Sequence, residues 1–362
     1  MSVSSEPPPT KAPASRRARF RTLAAKLVIV GVTTAICIAI LEVAVRALFP
    51  YFRPSAQIPF IPQPGGFALG PPLQTARQAT PKGDYDLLIR FNEDGFRDSK
   101  NLRDATEADW FAVGDSYTIG WGVEAEERFS DRLQQSFQSN HIAARVFNIA
   151  IPDNIVGYQR LVAYAETRGP KIRHLIVGIC MENDLCDYTP HRSSSEMMAA
   201  PGGLGKSKKE AVRRWFKKHS ALYIAASFTL QKFTVFRGLL EKLGIARDVQ
   251  ALSGYNEWNE TVLHTSRDEL LKLVSGRDAV VLIVPSRLMW QGKNRDTEIR
   301  VHEAFVGMLR DAGVLVVDPK AVMEATGEPL GFYFKTDPHW NPRGHELAAR
   351  ELFKAIQARE NK

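Results

Sequence analysis

Three residues of this chain, Ser116, Asp337 and His339, have side chains that together could perform nucleophilic acyl chemistry. Ser116 follows the apolar run Trp-Phe-Ala-Val and then Gly-Asp, so we expect a buried strand to end just before it. A serine hydroxyl becomes a good nucleophile only when a positioned base takes its proton. His339 is a candidate base, and Asp337 could hold one imidazole nitrogen while the other faces Ser116. Taken separately, Gly-Asp-Ser is also ordinary turn chemistry, and Asp-Pro-His could simply cap a helix.

The same chemistry needs hydrogen-bond donors for the negative charge that develops on a substrate oxygen. Asn183 follows an apolar run that predicts a strand, so its side-chain amide could reach the sheet edge that holds Ser116. The backbone N–H of Ser116 is a second candidate donor. A polar residue in a loop after a strand is more often only solvated, so Asn183 by itself indicates little.

Alternating strands and helices are expected to bring these residues together. Continuous apolar runs predict five strands, at residues 110–113, 145–151, 174–179, 279–284 and 314–317. Apolar strands separated by helices are typical of a parallel sheet that is covered on both faces. We therefore expect an α/β fold, a flavodoxin-like three-layer sandwich with about five parallel strands. Ligands of such sheets bind beyond the carboxyl ends of the strands, where Ser116 is predicted to lie.

Three short blocks, at residues 114–116 (GDS), 183–184 (ND) and 337–340 (DPHW), resemble the SGNH (GDSL-type) hydrolase superfamily. They are similar to blocks I, III and V of that superfamily, and the resemblance extends over about residues 85–362. The segments FNEDGFRD at 91–98 and HWNPRGH at 339–345 look like the membrane-anchored bacterial branch. This resemblance implies the same α/β fold and a reaction that passes through an acyl-serine.

The resemblance also implies roles for single residues. Ser116 would be the nucleophile, His339 its base and Asp337 the orienting carboxylate, and Asn183 with the Ser116 N–H would form the oxyanion hole. Asp153 occupies the place in block II where the superfamily usually has a glycine that donates its backbone N–H. The N–H of Asp153 could still donate, although an inward carboxylate would disfavour a nearby oxyanion.

Three functions remain open at this point. The first is a serine ester hydrolase, an esterase or deacetylase, that acts on O-acylated envelope carbohydrate or lipid. The spacing Asp-x-His-Trp is similar to that of alginate-type O-acetyltransferases, so acyl transfer to polysaccharide hydroxyls is an alternative that would need a membrane partner as acyl donor. Asp153, and Glu182 in place of a block III glycine, keep open a catalytically weak module that binds polysaccharide or a partner. No Cys/His cluster has metal-ligand spacing, and no cofactor is expected.

The amino-terminal part of the chain predicts a membrane anchor. Residues 1–26 are expected to be a disordered basic arm, cytoplasmic by the positive-inside rule. Residues 27–49 are long and apolar enough for a transmembrane signal anchor of the cytoplasmic (inner) membrane, with Glu42 and Arg46 able to pair near its end. The catalytic domain would then lie on the periplasmic or extracytoplasmic side; a cleaved signal peptide is the alternative. Residues 50–84, with eight prolines, predict an irregular linker to a domain at 85–362.

The net charge of +8 is uneven, with its basic residues concentrated at 11–26 and 206–218. This pattern does not describe a uniform nucleic-acid surface, and no nucleic acid partner is expected. A helical insertion is predicted at about residues 187–276, and its basic leading edge is either a solvated face or a contact with anionic lipid or an acidic polymer. Cys180 and Cys186 are expected to be unlinked, with a disulfide as the alternative.

Overall fold

The computed structural model describes residues 16–54, 58–80, 83–189, 191, 193, 208–231, 259–292 and 294–360. The strands in these ranges are β1 (Ile61–Pro62), β2 (Ala68–Leu69), β3 (Thr75–Ala79), β4 (Asp86–Arg90), β5 (Trp110–Val113), β6 (Val146–Asn148), β7 (His174–Cys180), β8 (Asp278–Val284) and β9 (Leu315–Val317). The α-helices are α1 (Arg16–Leu48), α2 (Ser116–Ile119), α3 (Phe129–Ser139), α4 (Ile155–Arg168), α5 (Lys208–His219), α6 (Ala221–Gln231), α7 (Glu260–Val274), α8 (Arg295–Asp311), α9 (Lys320–Ala325) and α10 (Pro342–Glu360).

The central sheet contains five parallel strands in the spatial order β6-β5-β7-β8-β9. If β5 is counted as the first strand, this is the flavodoxin-like order 2-1-3-4-5, as predicted. β5 occupies an interior position, and all four of its residues are buried. A strand buried on both faces needs apolar side chains in an unbroken run, which explains the sequence Trp-Phe-Ala-Val.

Each face of the sheet carries its own layer of helices. Phe111 and Val113 point into one core, to which α4, α7 and α8 contribute. Trp110 and Ala112 point into the other core, which contains side chains of α3, α9 and α10. Successive side chains of β5 therefore supply opposite faces, and the result is the expected three-layer sandwich.

Residues 58–80 differ from the irregular linker expected over 50–84. β1 pairs with β2, and β3 pairs with β4, both antiparallel. Phe67, Leu69 and Ala76 are buried, so these hairpins pack on the domain. The sequence of β3, Thr-Ala-Arg-Gln-Ala, has few β-branched or aromatic residues, which is why its pattern does not predict a strand.

The helix α1 is continuous from Arg16 to Leu48, and its part Ala25–Leu48 is long and apolar enough to cross a membrane. Its start lies within the basic arm that was expected to be disordered; residues 1–15 lie outside the described ranges. Arg46 and Glu42 pair at 2.6 Å, as predicted from their spacing.

The helical insertion is shorter than expected. The described part of the expected insertion before residue 259 contains the helices α5 and α6, which are separated at Ser220. The expected insertion ends at 276, but α7 belongs to the domain because its residues Val262, Leu270 and Leu273 are buried in the core shared with α4. α7 is thus the helix that leads into β8.

Candidate active site

Ser116 is the first residue of α2, directly beyond the carboxyl end of β5, and it is half-buried. Asp115 caps this helix because its carboxylate accepts the backbone N–H of Tyr117 at 2.9 Å. The preceding Gly114 is needed for close packing, since a Cβ at that position would lie 2.2 Å from Oγ1 of Thr118. The Gly-Asp-Ser turn therefore fixes the serine at the strand end.

His339 contacts both Ser116 and Asp337. Its Nε2 lies 2.7 Å from Oγ of Ser116, and its Nδ1 lies 2.6 Å from Oδ1 of Asp337. The backbone N–H of His339 also donates to Oδ1 of Asp337, at 3.0 Å. The three predicted residues thus lie in the order nucleophile, base and carboxylate, each within hydrogen-bond distance of the next.

The backbone that follows His339 is held in place by Asn341. Asn341 caps α10, since its side-chain oxygen accepts the backbone N–H of Arg343 at 3.0 Å. An N-cap residue followed by a proline, Asn341-Pro342, therefore starts the helix. The side-chain N–H groups of Asn341 donate to the carbonyls of Gly331 and Tyr333, both at 2.9 Å. These bonds fix the backbone just after the imidazole.

Aromatic rings enclose the imidazole of His339. The ring of Tyr117 lies 4.8 Å from it between centroids, and that of Trp121 lies 5.9 Å from it in a stacked arrangement. The Tyr117 hydroxyl donates to the carbonyl of Pro338 at 2.8 Å. Trp340, which is fully buried, packs edge-on against Tyr117. These contacts restrict the plane of the imidazole.

A residue that sequence reasoning missed, Tyr85, completes the surroundings of Asp337. Its hydroxyl donates to Oδ2 of Asp337 at 2.9 Å. The neighbouring Asp84 accepts the backbone N–H of Thr336 at 3.0 Å. Asp84 and Tyr85, which precede β4, therefore fix the positions of Thr336 and Asp337. The aromatic residue at 85 carries no local signal for this role because its partner lies far along the chain.

Asp337 is ionised in this environment. Burial opposes the charge, but hydrogen bonds from His339 and Tyr85 outweigh it and lower the pKa of the carboxyl below its usual range. Burial and the charge of Asp337 raise the pKa of Tyr85, so the phenol keeps the proton that it donates. A carboxylate that accepts the Nδ1 proton leaves Nε2 of His339 free to accept from Ser116.

Asn183 lies near the same strand edge. Its side chain is exposed, and its amide donates to Oδ2 of Asp115 at 3.2 Å. Asp184, which is fully buried, accepts the Tyr158 hydroxyl and the backbone N–H of Cys180, each at 2.7 Å. Burial raises the pKa values of both Asp115 and Asp184. Buried carboxyl groups thus anchor both sides of the Asn183 loop.

The carboxylate of Asp153 is directed onto α4. It accepts the N–H of Asn154 at 2.9 Å, and a Cβ at Gly157 would lie 2.0 Å from its Cγ. The glycine at 157 therefore makes room for this side chain on the first turn of α4. Ser116 and Asp337 are each in direct contact with His339. The Asp153 side chain instead packs on the first turn of α4.

Glu182 is directed away from Asn183, toward the end of β8. Its Oε1 accepts the Ser286 hydroxyl at 3.2 Å and the backbone N–H of Arg287 at 3.1 Å. Burial raises the pKa of this carboxyl, although Arg287 favours its charge. Glu182 thus links the ends of β7 and β8.

The FNEDGFRD segment supports the turn that follows Ser116. Arg97 is buried and donates to the carbonyls of Ile119, Gly120 and Val123, at 3.1 Å for Ile119 and 2.6 Å for Val123. Burial, together with the nearby Arg128, lowers the pKa of Arg97 to about 9. The carbonyls that end α2 thereby find donors inside the protein.

Cys180 and Cys186 are both free, as expected. Burial raises the pKa of each thiol, that of Cys186 to about 11. Across the part of the chain that the structure describes, no group of three or more His, Cys, Asp or Glu side chains could hold a metal ion.

Comparison with known proteins supports the predicted resemblance. Residues 258–362 match a family model described as the SGNH hydrolase-like domain of the acetyltransferase AlgX. This range contains Asp337 and His339, whereas Ser116 and Asn183 precede it. The chain is also 29% identical over 104 residues to the probable alginate O-acetylase AlgJ of Pseudomonas syringae pv. tomato. That similarity covers 27% of this chain, and the chain spans about a quarter of the relative, 26% of its length.

Two solved structures are similar at low sequence identity. A lipolytic protein of the G-D-S-L family from Veillonella parvula has a TM-score of 0.37 and 12% identity, and the similarity covers 69% of this chain and 98% of that one. The psychrotrophic esterase EstA from Pseudoalteromonas sp. has a TM-score of 0.38 and 12% identity, with 70% and 100% covered.

Proposed function

We propose that this chain, whose residues 258–362 match an SGNH hydrolase-like domain, is a membrane-anchored serine enzyme that transfers acyl groups through an acyl-serine at Ser116. The observation that carries the proposal is the continuous contact from Oγ of Ser116 through His339 to Asp337, at 2.7 and 2.6 Å. A serine, an imidazole and a carboxylate in this order can activate the hydroxyl and return its proton to a leaving group.

The first half-reaction forms the acyl-serine. Oγ of Ser116 attacks the acyl carbon of an ester, and Nε2 of His339 takes the hydroxyl proton. The tetrahedral intermediate then expels the alcohol, which receives that proton from His339. Asp337 stays ionised and stabilises the imidazolium between these two steps.

The oxyanion of that intermediate would be bound by Asn183, the Ser116 N–H and the Asp153 N–H. An amide group carries two N–H donors, and one of those on Asn183 is used by Asp115, which leaves the other for a substrate oxygen. Because the Asp153 carboxylate lies against Gly157, its charge need not face the oxyanion. This packing supports the proposed role of Asp153 as a backbone donor.

The second half-reaction transfers the acyl group to an acceptor. His339 takes a proton from the acceptor hydroxyl, whose oxygen attacks the acyl-serine, and Ser116 recovers the proton as it leaves. We propose that the acceptor is a polysaccharide hydroxyl and the acyl group an acetyl, since the matching family and the AlgJ relative are named for acetyl transfer. Outside the cytoplasm the acetyl donor would be supplied by a membrane partner.

Hydrolysis is the second candidate, and the openness of the site favours it. The side chains of His339 and Asp337 are 15% and 16% exposed, and Asn183 is exposed, so water can reach the acyl-serine as well as a sugar hydroxyl can. With water as acceptor the same steps give a deacetylase or esterase that acts on O-acylated carbohydrate or lipid.

The proposed location follows from α1. Its part Ala25–Leu48 would span the cytoplasmic membrane, with the basic residues before it in the cytoplasm and the domain on the extracytoplasmic side. Residues 1–26 would form the cytoplasmic arm, and the site would work on substrates outside the cytoplasm.

Fluorophosphonate labelling of the full-length protein in detergent tests the nucleophile. We expect one label, on Ser116, together with turnover of an aryl acetate. Ser116→Ala should abolish both, whereas Ser139→Ala, an exposed serine at the end of α3, should change neither. An unlabelled and inactive wild-type protein would instead support a binding module.

The acceptor is tested with an aryl acetate as donor and oligomannuronate as acceptor. A gain of one acetyl group on the oligosaccharide, absent for Ser116→Ala, supports transfer. Release of free acetate alone, at a rate unaffected by the oligosaccharide, overturns transfer in favour of hydrolysis.

A further inference from the structure

The insertion helix α5 exposes its apolar stripe. Val212, Trp215 and Phe216 lie on one helical face and are 54%, 56% and 39% exposed. Lys217 and Lys218 on the adjoining face are also exposed. The apolar face of a surface helix is normally buried against the core, so an uncovered one indicates a surface that meets another apolar phase.

The residues that follow α5 are bound to the last turns of α1. The carboxylate of Glu42 accepts the backbone N–H groups of Ala221 and Leu222 at 2.8 and 2.9 Å. It also accepts the hydroxyl of Ser220 at 2.8 Å. Arg46 donates to the carbonyl of His219 at 2.7 Å. The junction between α5 and α6 is therefore fixed to one level along α1.

That level is the membrane interface if α1 spans the bilayer. Residues 27–41 contain no charged side chain, and Glu42 and Arg46 are the first charges after them. Charged side chains near the end of a spanning helix lie at headgroup depth. The ring of Trp215 is 4.8 Å from that of His219, so it lies within about one helical turn of the same level. Tryptophan is enriched at this depth of a membrane.

We propose that α5 lies in the interface of the membrane that α1 crosses, with Val212, Trp215 and Phe216 at the boundary of headgroups and acyl chains and Lys217 and Lys218 on anionic headgroups. The inference rests on the anchor in the proposed function. The sequence of α5 contains six lysine and arginine residues against one glutamate, which suits an anionic surface. An acidic polysaccharide would match these charges, but it offers no apolar layer for Trp215 and Phe216.

Such a contact would hold the domain at two places. α1 alone would leave the domain free to rotate about the helix axis, whereas α5 adds a second attachment beside it. The short 3-10 turn Pro50–Phe52, directly after α1, also contacts β3, and Gln78 of β3 accepts the backbone N–H of Gly122 at 2.9 Å. Gly122 is the neighbour of Trp121, which stacks on His339. The contacts that follow α1 thus lead to the active site, and α5 is fixed to α1 through Glu42. The way in which α5 lies on the lipid would therefore set the orientation of the active site relative to the membrane.

The test uses the full chain with a fluorescent label at Val212→Cys, in a background of Cys37→Ala and Cys186→Ala. A label at Lys354→Cys, which is exposed on α10, is the matched control. Both proteins are reconstituted into vesicles of phosphatidylcholine, alone or mixed with phosphatidylglycerol, that contain lipids spin-labelled at headgroup depth. We expect at least about twofold stronger quenching at 212 than at 354, and a further increase with phosphatidylglycerol. Lys217→Glu with Lys218→Glu should remove that increase.

The possible results separate the two proposals. If the chain floats with the vesicles and Ser116 reacts with a fluorophosphonate, but the label at 212 is quenched no more than the control, the interfacial position of α5 is overturned while the enzyme and its anchor stand. If soluble alginate changes the label on neutral vesicles and phosphatidylglycerol does not, the surface binds acidic polymer, and the lipid contact is overturned. If the chain does not float, the anchor fails, and the interfacial helix fails with it.

Discussion

Asp337 and Asp115 each orient one neighbouring side chain at the site, but they do so in opposite environments. Asp337 is partly exposed, holds His339 at 2.6 Å and receives a further hydrogen bond from Tyr85. Asp115 is buried and holds Asn183 at 3.2 Å. Hydrogen bonds lower the pKa of the first carboxyl, and burial raises the pKa of the second.

The difference separates two tasks of a supporting carboxylate. A carboxylate that stabilises an imidazolium must keep its charge through the reaction, so hydrogen-bond donors and partial solvation suit Asp337. A carboxylate that only fixes an amide needs a defined position more than a stabilised charge, and burial supplies it for Asp115. Mutations on the two sides should therefore differ in size and in their response to pH.

The largest effect is expected for Asp337→Asn. The amide carries no charge to stabilise the imidazolium and can donate to Nδ1 of His339, which would leave the wrong tautomer toward Ser116. We expect kcat for an aryl acetate to fall about 10⁴-fold. Asp84→Asn, which keeps an oxygen for the N–H of Thr336, is the control and should remain close to wild type. A loss of less than about tenfold in Asp337→Asn would remove Asp337 from the proposed mechanism.

Asn183→Ala tests the other side of the site. Loss of one oxyanion donor typically lowers kcat by about 10²–10³-fold, and we expect a decrease in that range with little change in KM. Asp187→Ala, an exposed change in the same loop, should have no effect on kcat. Equal rates for the two variants would show that Asn183 binds no developing charge.

Tyr85→Phe tests whether the donor to Asp337 matters for the chemistry. Loss of a hydrogen bond to a carboxylate should lower kcat about tenfold without changing KM. Asp337 should then take up a proton at higher pH, which a carbon-13 NMR titration of its carboxyl would measure as a rise in pKa. Tyr164→Phe, whose hydroxyl lies 3.4 Å from the carbonyl of Asp94 away from the site, is the control. A lower kcat with an unchanged titration of the Asp337 carboxyl would assign Tyr85 a structural role only.

The smallest effects are expected in stability. A hydrogen-bonded, partly exposed carboxyl such as Asp337 and a fully buried one such as Asp184 should change the stability in opposite directions as the pH rises. The folded-state pKa of Asp337 is lowered, so its contribution is present above the unfolded pKa, about 3.9, and is lost as pH falls below it. The folded-state pKa of the buried Asp184 is raised, so its contribution is full below about 3.9 and is lost as pH rises. As the pH rises from acid to neutral, the melting temperature of wild type should therefore rise relative to that of Asp337→Asn. It should fall relative to that of Asp184→Asn. Each group can change the difference in unfolding free energy between wild type and variant by at most about 1.4 kcal/mol per pH unit.

The sequence predicts the parts of this site that depend on neighbours along the chain. The apolar run before Ser116 fixes a strand end, and the pair Asn341-Pro342 fixes a helix start beside His339, so their placement follows from local rules. Tyr85 could not be found in this way, because its hydrogen bond to Asp337 joins residues 252 positions apart.

The directions of the side chains at the site could likewise not be predicted from the sequence. The identities of Asp153 and Glu182 leave open where their carboxylates point, and packing decides it. Asp153 turns to α4 because Gly157 leaves space, and Glu182 turns to β8 because Ser286 and Arg287 offer donors. Both outcomes depend on residues that no spacing rule connects to the site.

The hydrogen bonds of Glu42 bear on how the protein can be shortened. The first turn of α6 takes an acceptor from a residue 179 positions earlier, within the apolar helix that is usually removed to obtain a freely soluble protein. A truncation that starts after Leu48 leaves the N–H groups of Ala221 and Leu222 without that carboxylate, which costs about 1 kcal/mol as the loss of a helix cap. The shortened protein would thus carry an altered insertion as well as a missing anchor, and its activity would report on both changes together.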